Sequence, residues 1–142
     1  MTSPAAEPRV LVVDDDPRVR AGLAGALGAT AGLALAAATG SPARALALAA
    51  AGEADVALVD ALLPRMADGV ALVRRLTPQL PVVAISLDGT RRRALLAAGA
   101  VAYVEKDGSL DSLVATLRTA AEGSRGQASG DPPVTPSTCA VM

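Results

Sequence analysis

The sequence predicts an α/β fold, a five-stranded parallel sheet with helices on both faces. Three observations lead there. Five short runs are apolar without alternation, as suits strands covered on both faces. Segments with helical start and stop signals separate them. Four of the five runs end in a group able to bind a metal or an anion, and a parallel sheet gathers such ends on one edge.

The first run, "RVLVVD", leads into Asp16 and Pro17, an N-cap and first helical residue. Val19, Leu23 and Leu27 then recur on one helical face. "LALAAAT" is the second strand, followed by a helix with Ser41 as cap, Pro42 inside it and Gly52 as terminator. "ADVALVD" ends at Asp60, and the next helix carries Val70, Val73 and Leu76 on its apolar side. "PVVAIS" ends at Ser86, and a helix from Thr90 to Gly99 follows. "VAYVEK" ends at Lys106, and a last helix from Ser109 lines up Leu110, Leu113, Val114 and Leu117. Residues 1–8 are read as a flexible N-terminus. Residues 123–142, rich in Gly, Ser, Pro and Thr without periodicity, are read as a disordered tail.

Composition narrows the chemistry. The 142 residues suffice for one domain with a core, 51% are apolar, and Tyr103 is the only aromatic. The core must be Val, Leu, Ile and Ala. A net charge of −1 argues against a nucleic-acid or membrane-surface binder. With no histidine in the chain, any proton or phosphoryl chemistry runs through carboxylates, Lys, Ser/Thr or Tyr. The single cysteine, Cys139, excludes an internal disulfide. The ending "CAVM" has the form of a prenylation signal and is read as coincidence. The start lacks a secretory pattern, and a cytoplasmic protein is expected.

Asp14, Asp15 and Asp16 pose the physical question. Neighbouring carboxylates repel by roughly 3–4 kcal/mol at an effective dielectric near 20, so a metal, a proton or a helix terminus must offset the charge. Asp16 is assigned to the helix cap. Clustered carboxylates with carbonyl and water oxygens suit Mg²⁺. Beside such an ion Asp60 can act as a nucleophile toward a phosphoryl group. Ser86 can donate a hydrogen bond, and Lys106 a positive charge, to the phosphoryl oxygens.

In order along the chain, "VLVVDDDP", "VALVDALLP", "AIS" and "AGAVAYVEK" resemble the receiver domains of bacterial two-component response regulators. The resemblance covers residues 9 to about 121, so that 9–122 is expected to be the receiver domain. It implies a flavodoxin-like fold of strand order 2-1-3-4-5. It implies Asp60 as phospho-acceptor, Ser86 and Tyr103 as switch residues and Lys106 as the lysine of the site. It also implies Mg²⁺ held by Asp15, Asp60 and the Leu62 carbonyl, with Asp14 acting mainly through water. Leu87 stands where the family usually has a small residue, and the loop after Pro64 is one residue longer than the commoner spacing. Asp107 replaces a frequent proline, a form similar to receivers that precede a helix-turn-helix domain.

The leading expectation is a stand-alone response regulator that takes a phosphoryl group from a sensor histidine kinase and signals through a protein partner. Its chemistry would be limited to Mg²⁺-assisted self-phosphorylation and autodephosphorylation. The partner surface is expected between Arg91–Arg93 and Leu117, with no direct contact to nucleic acid or membrane. The run Arg91–Arg93 is read first as a solvated helix face, with the partner-binding role as its alternative. Alternatives are a receiver-like binding module that no longer uses phosphorylation, and the receiver part of a longer DNA-binding regulator. A phosphohydrolase of the haloacid dehalogenase type fits the Asp14-x-Asp16 spacing, but Pro17 and Arg18 break its usual continuation.

Overall fold

The computed structural model describes residues 7–60, 66–86, 89–106 and 108–129. The expectations for Leu62, Pro64, Leu87, Asp107 and Cys139 lie outside the described residues, as do residues 1–6 and 130–142. Strands and helices alternate: β1 (Arg9–Val13), α1 (Pro17–Gly28), β2 (Ala34–Thr39), α2 (Pro42–Ala50), β3 (Val56–Asp60), α3 (Met66–Leu76), β4 (Val82–Ser86), α4 (Arg92–Ala97), β5 (Ala102–Glu105) and α5 (Leu110–Ser129). The strands form one parallel sheet of order β2-β1-β3-β4-β5, the flavodoxin-like arrangement expected.

The apolar runs lack alternation because both faces of the sheet are covered. Leu11 and Val13 of β1 pack with Ala57, Val59, Leu72, Val73, Leu76 and Leu95 on one side. Val10 and Val12 pack with Leu27, Leu58, Leu113 and Leu117 on the other. Each large aliphatic side chain buried this way contributes about 1.5–3 kcal/mol, and β1, β3 and β4 supply most of them. The edge strands β2 and β5 are half-buried, which their alanines and Tyr103 tolerate.

Local signals account for most helix ends. The Asp16 carboxylate accepts the Arg18 N–H at 2.9 Å, and Ser41 Oγ accepts the Arg44 N–H at 3.1 Å. Ser109 Oγ accepts the Ser112 N–H at 3.0 Å, the cap expected for the last helix. Gly52 (φ +73°) and Gly99 (φ +116°) end α2 and α4 in the left-handed region, which glycine enters without a steric penalty.

Four expectations need correction. The fourth helix starts at Arg92, after a 3₁₀ turn over Gly89–Arg91 and with no side-chain cap. Three arginines at its start oppose the helix dipole. Leu110, the first residue of α5, is 44% exposed and does not join the buried stripe. Leu117 is fully buried against the sheet with Leu113 and Ala121, so it cannot belong to a partner surface. Helix α5 continues to Ser129, past the boundary expected at Glu122, because no proline interrupts the chain before Pro132. Glycine within a helix costs only about 1 kcal/mol. Among the described residues no helix is long and apolar enough to cross a membrane.

Candidate functional site at the carboxyl edge of the sheet

Asp14 directly follows β1, Asp60 ends β3, Ser86 ends β4 and Lys106 directly follows β5. Sheet register sets them level. Asp60 lies opposite Ile85 and Ser86 opposite Glu105, and the Lys106 N–H donates to the Ser86 carbonyl at 3.0 Å. One residue of β2, Ala36, is skipped in the pairing with β1. The shift brings Thr39 opposite Val13, and the Thr39 carbonyl then accepts the Asp14 N–H at 3.0 Å.

Asp14, Asp60 and Ser86 are buried, at 0%, 4% and 1% exposure, whereas Asp15 faces solvent. The Lys106 ammonium sits between two acids, with Nζ 3.5 Å from Asp14 Oδ2 and 3.4 Å from Asp60 Oδ2. Carboxylate oxygens of Asp14, Asp15 and Asp60 all lie within 4.8 Å of one another. One cation cannot neutralise three carboxylates so close together. Asp14 Oδ1 accepts the Asp16 N–H at 2.9 Å, but the buried Oδ2 has no hydrogen-bond partner. An unsatisfied buried carboxylate oxygen is costly, and it points to a ligand that completes it.

Burial lifts the Asp14 carboxyl above the ordinary carboxylate range. The Asp16 N–H opposes the rise, the negative Asp60 adds to it, and Lys106 pulls it back. The donor set is hard oxygen, acidic and partly open through Asp15, so it fits Mg²⁺. Ser86 shares its strand face with Ala84, and Ala84 pairs with Tyr103. Tyr103 is half-buried against the α2–α3–α4 side of the core. The Ser86 hydroxyl and the lone aromatic are thus on one face of adjacent strands.

Sequence reasoning missed two residues here. Arg20 of α1 donates from Nη1 to the Asp14 carbonyl at 2.9 Å. Gly40, just after β2, lies against it: an added Cβ would stand 2.7 Å from that Nη1. The available signal was a glycine closing the second strand at the same edge as the acids.

A fold of this order, with acids and a lysine converging at its carboxyl edge, defines a receiver. The response regulator receiver domain family matches residues 10–118, and the chain belongs to that family. No curated protein matches the sequence. Among solved structures, the chain is similar to the signal receiver domain of NarL from Mycobacterium tuberculosis, with 29% identity, a TM-score of 0.73, and coverage of 82% of this chain and 98% of that one. The signal receiver domain of a modulated diguanylate cyclase from Desulfovibrio desulfuricans is 26% identical, with a TM-score of 0.72 over 84% and 98% of the two chains. The BeF3-activated N-terminal receiver domain of RstA from Klebsiella pneumoniae is 27% identical, with a TM-score of 0.68 over 80% and 97%.

Proposed function

We propose that the chain is a phosphorylation-dependent switch, with Asp60 as the phospho-acceptor and a sensor histidine kinase as donor. The observation that carries this reading is the Lys106 ammonium held 3.5 and 3.4 Å from Asp14 and Asp60, beside a third carboxylate on Asp15. An Asp60 carboxylate oxygen attacks phosphorus, and the bond from phosphorus to the donor nitrogen breaks. Lys106 then pairs with phosphoryl oxygens in place of a carboxylate, and Ser86 donates its hydroxyl to another. Mg²⁺, held by the carboxylates of Asp14, Asp15 and Asp60, would neutralise charge between carboxylate and phosphoryl group. A shift of Ser86 toward the phosphoryl group would reach Tyr103 through the shared strand face and alter the surface near α4. On that surface Arg92 and Arg93 are exposed and form the part of the expected partner face that remains.

The reading makes the chain a signalling protein whose own chemistry is limited to gaining and losing one phosphoryl group. The RstA receiver domain, similar in fold, is described as BeF3-activated, which supports reading this chain as a switch. The test is intact mass after incubation with acetyl phosphate and Mg²⁺. Wild type should gain one phosphoryl group and Asp60→Asn none. A phosphoryl group retained by Asp60→Asn and mapped elsewhere overturns the assignment.

A further inference from the structure

Asp14 is anchored on three sides. Its N–H donates to the Thr39 carbonyl at 3.0 Å, its Oδ1 accepts the Asp16 N–H at 2.9 Å, and its carbonyl accepts Arg20 Nη1 at 2.9 Å. These bonds leave Oδ2 directed at the site. Two of the anchors are backbone groups that any sequence supplies. The third is a side chain reaching back from α1 to the loop before it. A cation near a helix N-terminus opposes the dipole, so helix stability does not account for arginine at position 20.

Gly40 belongs to the same device. An added Cβ would lie 2.7 Å from Arg20 Nη1, 3.3 Å from the Asp14 carbonyl oxygen and 3.4 Å from Asp15 Cα. The tightest of these contacts is with the guanidinium, the movable end of a flexible side chain. A methyl group there would therefore displace the guanidinium before it displaced the backbone.

We propose that Arg20 is a positioning residue for the Mg²⁺ site and that Gly40 is the seat its guanidinium requires. Together they hold the turn from Asp14 to Asp16 so that the carboxylates of Asp14 and Asp15 converge with Asp60. This rests on the reading of the acidic cluster as a Mg²⁺ site. Two effects of Arg20 on the ion have opposite signs, which makes the proposal decidable. As a charge, Arg20 repels a divalent cation, and its removal alone would tighten Mg²⁺ binding, most at low salt. As a clamp, it fixes the ligands, and its removal weakens binding.

Calorimetric titration of MgCl₂ into the full chain separates them. Arg20→Met keeps the aliphatic stem and loses the donor, while Gly40→Ala changes no charge. Each should weaken Mg²⁺ binding about tenfold, the lower end of what outer partners of metal ligands are worth. Arg20→Lys, still a cationic donor, should recover part of the loss. Adding Gly40→Ala to Arg20→Met should cost little more, because both remove one interaction. Tighter or unchanged binding in Arg20→Met overturns the proposal, as does a full further loss in the double variant. Wild type that binds no Mg²⁺ would overturn the site reading along with it, whereas wild type that binds beside unaffected variants overturns the clamp alone.

Discussion

The two ends of the sheet treat charge in opposite ways. At the amino end, Arg9 and Asp55 join the starts of β1 and β3. Asp55 accepts the Arg9 N–H at 2.8 Å and the guanidinium at 3.1 and 3.2 Å, and Arg9 also donates to the Gly52 carbonyl at 3.0 Å. The Asp55 hydrogen bond raises the affinity of Arg9 for its proton, so that each partner supports the other's charge. At the carboxyl end, Asp14 is driven the other way by burial, and its Oδ2 lacks a hydrogen bond. One end settles its charges internally; the other keeps an excess that a bound cation or a proton removes. The charge pairs look alike in a sequence, and solvent access with partner count separates structural from functional ones.

The contrast breaks most visibly at Asp14. In chelator at neutral pH, Asp14→Asn should stabilise the fold by about 1–3 kcal/mol, the scale of a buried unsatisfied polar group. The sign follows from the raised carboxyl. The folded chain holds that proton more tightly than the unfolded one, so its contribution to stability is full below about pH 4 and is lost as pH rises through the raised value. Asp14→Asn should flatten that slope in urea melts across pH, and a destabilised variant would show that the oxygen is satisfied after all. Asp16 sharpens the comparison from within the acidic run. Asp16→Ala should cost about 1 kcal/mol through the lost cap, while Mg²⁺ affinity by calorimetry stays near wild type. A large loss of affinity would make Asp16 part of the site. The smallest effect belongs to the amino end. Asp55→Asn keeps an acceptor and drops the charge at a half-exposed pair, and should cost at most about 1 kcal/mol, shrinking with added salt. A salt-independent loss would mean that the pair works by geometry alone.

What could be read from the chain was whatever acts locally or repeats. Strand ends, helix caps and the ordered acids, hydroxyl and lysine are short-range patterns, and all five strands lie where the apolar runs placed them. Arg20 and Gly40 escaped because their meaning is a contact between helix α1 and the loop after β2, 20 residues apart, visible only once β2 pairs with β1. Leu110 and Leu117 sit on the same helical stripe, yet one is exposed and one buried. Periodicity gives the direction of a side chain but not where the sheet beneath it ends.

Tyr103 carries a consequence of another kind. It is the only aromatic side chain in the protein, and the lone cysteine offers no disulfide chromophore. Near-ultraviolet absorption, dichroism and intrinsic emission of this chain therefore all originate at one ring on β5, two positions along the sheet from the proposed acceptor's strand. An optical titration of the protein is a measurement of that strand's surroundings, with no background to subtract.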